Sequence, residues 1–459
     1  MEFLEIINRF VWGVPALVLI VGVGVYLTIY TKFAQIRLFP KALVHFLRQF
    51  RKRGDSAGTS PYSALCTALA ATVGTGNIVG VAGAITLGGP GAIFWLWVCA
   101  VLGMIVKFAE ATLAVRYQQK NNNGELVGGP MYMIDFGMGR GWKFLAVAYS
   151  LFGVIASFGV GNTTQVNAVL MGIQTIFTTC GYESTTTLKL LIGVVLAVFT
   201  GIVLLGGVKR VSNMTERIVP FAAIFYLVLC VAVLLLRYRA VPEVLQTIFK
   251  GAFDPKAVTG GALGSAFAAL RVGTSRGTFT NEAGMGTAAI AHAGAKVSHP
   301  AEQGCMGIME VFLDTIVICT MTAFVILLSG IPIAYGADSG DFIAGNAFSL
   351  VLGKWSIYPL SIALISFAVA TIIGWSLYGV RCAQYLFGEK SWRYFVWLQM
   401  LVMVASVFMS TGVVWLLAET MNGLMAIPNL IAILYLSPEL GRLIKKSGVQ
   451  VLHSGRVIR

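Results

Sequence analysis

Residues Ala70-Ala-Thr-Val-Gly-Thr-Gly-Asn-Ile-Val-Gly80 sit in the middle of an apolar run from about Pro61 to Leu87. A continuous membrane helix gains nothing from two glycines around a threonine followed at once by an asparagine. Each glycine costs roughly 1 kcal/mol against alanine inside a helix. In hydrocarbon, any backbone group that a glycine frees must find another partner. Two readings fit these residues. Either Gly74, Gly76 and Gly80 are contact residues of a close helix crossing, or the helix stops at Gly74-Thr75-Gly76-Asn77 and leaves amides and carbonyls to grip something small and polar.

Composition supports a membrane setting for that break. The chain is 57% hydrophobic and 11% charged, with a mean hydropathy of +0.82, which describes a polytopic membrane protein and not a soluble globule. The first apolar segment lacks an upstream basic region and a small-residue cleavage site, so it reads as a span and not a signal peptide. The formal charge of +14 comes from basic residues in the loops between apolar runs, which points to cytoplasmic charge retention and away from nucleic acid. Seven cysteines (Cys66, Cys99, Cys180, Cys230, Cys305, Cys319 and Cys382) form no CxxC pair. They read as packing residues, with no disulfide framework and no metal cage.

Eleven apolar segments are expected, near 12–31, 61–87, 91–115, 143–177, 187–207, 218–237, 259–290, 305–330, 356–387, 393–412 and 414–437. At a 1.5 Å rise per residue each is long enough for a bilayer core of about 30 Å. The first loop carries Lys32, Arg37, Lys41, Arg48, Arg51, Lys52 and Arg53 against a single Asp55. The positive-inside rule therefore makes it cytoplasmic. Alternation then places the N-terminus outside and the C-terminus inside, with the basic linker from Arg237 to Lys256 as the exception on the outer face.

Setting the first span aside leaves ten, which divide into five plus five. The chain thus reads as an extra N-terminal helix and basic segment (1–60), a first five-helix repeat (61–238), a second (239–437) and a basic tail (438–459). The leading span of each repeat is the one rich in glycine and polar residues. The second contains Arg271-Val-Gly-Thr-Ser-Arg-Gly-Thr-Phe-Thr-Asn-Glu-Ala-Gly-Met-Gly286, poor material for a lipid-facing helix. By alternation the two halves have opposite topology. Interrupted segments at corresponding places in inverted halves point to the binding site of a secondary transporter.

Four motifs carry a family resemblance: the 70–80 stretch, Thr280-Asn-Glu-Ala-Gly-Met-Gly-Thr287, Gly128-Gly-Pro-Met-Tyr132 and Ile373-Gly-Trp-Ser376. They resemble the alanine/glycine:cation symporter family over nearly the whole chain. The resemblance implies a LeuT-type inverted-repeat fold with one extra helix, and import of alanine or glycine driven by sodium. Sodium is then a co-substrate and no cofactor is needed. By the same likeness, the amides of Thr75 and Gly76 would hold the substrate carboxylate, favoured by the dipole of a new half-helix. The side-chain oxygen of Asn77 and the carbonyl of Thr72 would suit one sodium, a hard cation that prefers oxygen. Carbonyls of Ala70 and Val73, with the Thr371 hydroxyl, would form a second ion site. The likeness also places a hydroxyl just before Thr371, where this chain has Ala370.

Other residues are read from position. Asn162, Thr163, Thr164 and Gln165 form a polar step in an apolar segment. Gln165 is either a ligand for the substrate's ammonium or an interhelical hydrogen bond. Trp375, one turn after Thr371 on the same face, either anchors at an interface, as membrane tryptophans often do, or walls the pocket, as the family likeness implies. In the second break Asn281, Gly284, Met285 and Gly286 should supply an amide oxygen for sodium, carbonyls and an apolar wall, with Phe279 as a further wall. Glu282 is either functional or paired with Arg271 or Arg276. Lys107 and Glu110, three apart, read as a local pair. Glu310 and Asp314, four apart, read either as a carboxylate pair for protons or a cation or as charges close to the inner surface. His45, His292, His299 and His453 fall in loops or near the inner face, which argues against a histidine proton relay.

No Walker motif, nucleophile elbow or HExxH sequence occurs, so an intramembrane enzyme has no visible machinery. An ion channel would carry a filter repeated around a symmetric oligomer, whereas this chain carries inverted repeats internally. The expected function is a secondary active carrier for a small neutral amino acid, sodium-coupled in the leading reading and proton-coupled in the alternative.

Overall fold

The helix that leads into the first break ends deep inside the protein. Pro61–Thr72 is capped by Ser60, whose side chain accepts from the Ser63 amide at 3.0 Å, and Pro61 occupies the first turn, where a missing N–H costs nothing. A single 3-10 turn follows at Thr75–Asn77, and Val79–Gly88 leaves at 63° to the first half. The computed structural model describes residues 2–51, 59–183, 185–254, 256, 266–336, 340–409 and 411–446.

In chain order the helices are α1 (Glu2–Val11), α2 (Val14–Tyr30), α3 (Ala34–Arg51), α4 (Pro61–Thr72), α5 (Val79–Gly88) and α6 (Ala92–Arg116). A hairpin of β1 (Gln119–Lys120) and β2 (Leu126–Val127), with Gln119 opposite Val127, precedes the short α7 (Pro130–Tyr132). Next come α8 (Lys143–Phe158), α9 (Thr164–Thr179), α10 (Thr186–Leu205), α11 (Gly207–Leu236) and α12 (Val241–Phe253). The second half holds α13 (Ala266–Asn281), α14 (Thr287–His292), α15 (Pro300–Val311), α16 (Thr320–Ser329), α17 (Gly340–Leu352), α18 (Ile357–Phe387), α19 (Ser391–Ala405), α20 (Thr411–Tyr435) and α21 (Ser437–Lys446).

Both expected interruptions are present. The second separates α13 from α14, where Glu282 (φ 53°), Gly284 (φ 95°) and Gly286 (φ 76°) adopt left-handed backbone. Gly284 and Gly286 take that conformation without the Cβ penalty that Glu282 bears. Two other helices are spliced by π turns: Gly159–Thr163 joins α8 to α9, and Phe312–Cys319 joins α15 to α16. Such bulges leave carbonyls available to side chains.

The count of eleven spans is not confirmed. Among the described residues, seven helices are long and apolar enough to cross a membrane, or nine if α2–α3 and α4–α5 each count as one bent span. The two expected spans that fall short lie at α13–α14, whose start at 259–265 lies outside the described residues, and at α19, which stops after 15 residues. Lys52, Arg53 and Asp55 of the first loop, and the tail beyond Lys446 with His453, also lie outside them. Helix α3 turns 82° from α2 at Lys32 and Phe33, both at positive φ, and buries Ala34, Gln35, Leu38 and Ala42. Helices α1, α12 and α17 and the hairpin stand outside the eleven expected segments.

Close approaches set the core. A Cβ on Gly161 would lie 2.1 Å from the Cβ of Trp375, so α18 reaches the α8–α9 bulge only because glycine stands there. Gly161→Ala is expected to cost about 1–3 kcal/mol through overpacking, read as a lower melting temperature in detergent. Six of the seven cysteines are buried, Cys180 is exposed, and all are free thiols.

Candidate substrate and ion site

At the first break the backbone is redirected by one side chain. In a continuous helix the Gly74 amide would bond the Ala70 carbonyl; here it donates to Asn77 Oδ1 at 2.8 Å. That frees the Ala70 carbonyl, and the following carbonyls through Val73 end the helix without successors. The 3-10 turn begins with the Asn77 amide on the Gly74 carbonyl at 3.3 Å. The Thr75 and Gly76 amides precede that bond and have no partner within the turn, which is the arrangement an anion requires.

The polar step on α8–α9 divides its work. Asn162 Nδ2 donates to the Gln399 carbonyl at 3.0 Å, and the Thr163 and Ser406 hydroxyls pair at 2.9 Å. Both are interhelical bonds to or beyond α19. Gln165 instead folds back on its own helix, with Nε2 donating to the Val160 carbonyl at 3.1 Å and to Thr164 Oγ1 at 3.3 Å. The bulge exposes that carbonyl. With its amide nitrogen held, Gln165 is left with Oε1 buried and unpartnered, an acceptor with capacity for an incoming donor.

A cavity of about 30 Å³ lies between the two breaks, lined by Gly74, Thr75, Gly76, Gln165, Phe279 and Thr371, with Thr72, Thr280 and Glu282 among the rest. Thr371 comes from α18, whose Gly374 would place a Cβ 2.9 Å from the Ala71 amide nitrogen. Phe279 stacks edge-on against Trp12 of the N-terminal segment at 5.8 Å. Three expected substrate-site residues lie outside the lining, as do the expected sodium ligands Ala70, Val73, Asn77 and Asn281. Trp375 is fully buried against Gly161 and Tyr378. Met285 is fully buried, and Gly286 packs against Pro130 and Asn429. The α18 register explains Trp375, because the π bulge meets that helix a turn beyond the cavity. Of the expected sodium ligands, Ala70, Thr72 and Val73 sit at the end of α4. Asn281 sits at the end of α13, its Oδ1 accepting from the Ala283 amide at 3.0 Å.

The buried charges differ from the sequence reading in their partners. Lys107 donates to Glu310 across helices at 3.0 Å, in place of a local pair with Glu110. Glu310 also meets His292 Nε2 at 2.8 Å, and His292 Nδ1 meets Gln303 Nε2 at 2.6 Å. His292 therefore belongs to the interior and not to a loop. Glu310 and Asp314 are both fully buried. Glu282 accepts from Thr287 Oγ1 at 2.6 Å, within its own broken helix. Glu110 is a residue whose role the sequence reading missed. Its Oε1 accepts from the Gly284 and Gly286 amides at 2.9 and 3.1 Å and from Asn429 Nδ2 at 2.7 Å, so it pins the second break open. Truncating Lys107 to alanine leaves Glu310 without its ammonium and should cost about 3–5 kcal/mol, measured as lost thermal stability of the purified protein.

A model of the sodium:alanine symporter family matches residues 1–453. The chain belongs to that family. The sodium/alanine symporter AgcS of Methanococcus maripaludis is 41% identical over 445 residues, covering 95% of each chain. An uncharacterized transporter of Haemophilus influenzae is 41% identical over 438 residues, 94% of this chain and 93% of the relative. The solved structure of MhsT in complex with L-phenylalanine superposes with a TM-score of 0.59 at 15% identity, over 85% of this chain and 99% of that one. That likeness establishes the LeuT-type fold for this sodium:alanine symporter family member.

In this symporter-family chain a second, larger cavity of about 720 Å³ opens among Ser60, Ser63, Lys120, Lys209, Glu216 and Lys296. Next to it, Arg381 Nη2 of α18 bonds Glu125 Oε2 of the hairpin at 3.0 Å, and the Thr67 and Thr215 hydroxyls pair at 3.0 Å between α4 and α11.

Proposed function

We propose that the chain imports a small neutral amino acid, with alanine first and glycine and serine as further candidates, by symport with sodium through alternating access. Its place is the cell membrane, with the N-terminus outside and the C-terminus in the cytoplasm. The observation that carries the reading is the meeting of both helix breaks at one cavity, with Gln165 Oε1 buried and unpartnered beside it. The Thr75 and Gly76 amides receive the substrate carboxylate, and Gln165 Oε1 receives its ammonium. Phe279 is a bulky wall of that cavity and favours a small side chain. The oxygens of Ala70, Thr72, Val73, Asn77, Asn281 and Thr371 form a donor set suited to sodium. Among the described residues no group of three or more His, Cys, Asp and Glu is placed to hold a metal ion.

The deciding experiment is radiolabelled alanine uptake into proteoliposomes, with sodium and pH gradients imposed separately. A sodium gradient alone should drive accumulation above equilibrium, and a pH gradient alone should not. The buried Glu310–His292 contact favours the proton-coupled alternative, and the reverse result would establish it.

A further inference from the structure

The ring of Phe279, a wall of the cavity between the two breaks, meets two segments that lie far apart in the chain. Toward the first break, a Cβ on Gly76 would stand 4.0 Å from Phe279 Cδ1, so the ring reaches the backbone that receives the substrate carboxylate. It also meets the indole of Trp12, with ring centroids 5.8 Å apart and the planes at 65°. Trp12 directly follows α1 (Glu2–Val11), and its amide still bonds the Asn8 carbonyl at 2.8 Å. Asn8, Val11 and Trp12 therefore share one helix face, and that face lies on α20.

The indole has little freedom there. Its Nε1 donates to the Glu419 carbonyl of α20 at 2.9 Å. One turn along α20, a Cβ on Gly423 would stand 3.0 Å from the same Nε1 and 2.4 Å from Val11 Cγ1, so the segment lies against bare backbone. Asn8 Nδ2 adds a bond to Thr420 Oγ1 at 3.0 Å. Trp12 is thus anchored to a neighbouring helix while its ring is set edge-on to Phe279. A phenylalanine side chain carries no polar atom, so packing alone fixes its rotamer. An edge-to-face aromatic partner favours one ring placement by about 2- to 12-fold. A wall discriminates side-chain size only as far as it resists displacement, and one methylene is worth about 10- to 200-fold in a pocket that keeps its shape.

We propose that Trp12 is a positioning residue for substrate size. It holds the Phe279 ring as a fixed wall, and without it the site admits side chains larger than that of alanine. The N-terminal segment then acts on selectivity from outside the cavity, because Trp12 is not among the lining residues. This inference rests on the amino-acid symport reading above and adds to it the residue that sets the upper size limit.

The test is uptake of radiolabelled alanine into proteoliposomes under combined sodium and pH gradients, competed by unlabelled alanine, valine and leucine. The proteins are full-length wild type, Trp12→Ala, Trp12→Leu, Trp12→Phe and Asn8→Ala. The readout is the half-inhibitory concentration of each larger amino acid divided by that of alanine. Trp12→Ala should lower this ratio about 2- to 12-fold, and Trp12→Leu should lower it too. Trp12→Phe, which keeps a ring against Phe279, should stay within twofold of wild type. Asn8→Ala removes the other side-chain bond between α1 and α20 and should leave the ratio at its wild-type value. An unchanged ratio in a Trp12→Ala protein that transports alanine overturns the inference. If that variant does not fold, an unchanged ratio in Trp12→Leu overturns it instead. An equal fall in Asn8→Ala also overturns it, since loosening of α1 then accounts for the change. Absence of alanine uptake by wild type defeats the transport reading itself, which separates the two failures.

Discussion

Replacing Gln165 with alanine is expected to lower alanine uptake about 10- to 150-fold while the protein stays folded. The estimate follows from one hydrogen bond to a charged group, about 1.5–3 kcal/mol, at about 1.4 kcal/mol per tenfold. The side chain makes its bonds within its own helix, so its loss removes no contact between helices and should leave the melting temperature nearly unchanged. Asn162→Ala is the matched control. It deletes a polar group from the same step, but one bonded to the Gln399 carbonyl. It should lower stability by about 1 kcal/mol and leave substrate affinity alone. Uptake by Gln165→Ala equal to that of wild type would remove the residue from the site.

Asn77→Ala is expected to have an effect of similar size by another route. Asn77 caps the Gly74 amide and donates to Asp314, so alanine leaves a buried N–H unpaired and a carboxylate short of a donor. Loss of a cap costs about 1 kcal/mol, and loss of a bond to a charged group about 1.5–3 kcal/mol. Together they predict a fall in transport on the order of 100-fold, with a higher sodium requirement and a lower melting temperature. The joint shift distinguishes it from Gln165→Ala, where sodium dependence should hold. Normal sodium dependence in a folded Asn77→Ala protein would mean that the first break is held by something other than this side chain.

These two residues also show how far local chemistry could be read. Gly74-Thr75-Gly76-Asn77 is legible because a glycine pair and an amide in an apolar run have no use in a continuous helix, and the break lies there. The same logic found the second break between Thr280 and Thr287. It brought Thr75, Gly76, Gln165, Phe279 and Thr371 to one cavity. Trp375 was expected beside them from helical spacing and the family likeness, and neither says what the neighbouring helix offers. Gly161 and its bulge offered a slot one turn away.

Charge partners followed the same division. Lys107 and Glu110 share a helix face by spacing, yet Lys107 found Glu310, 203 positions away in the chain. Asn77 found Asp314 across 237 positions. Sequence alone determined that this is a membrane protein with two interrupted helices, because hydropathy, glycine content and the need to satisfy every peptide group in lipid act along the local chain. Only the tertiary structure decided which carboxylate meets which donor, and where π turns redirect a side chain. Those outcomes depend on groups that approach through packing between distant segments, where no local periodicity records them.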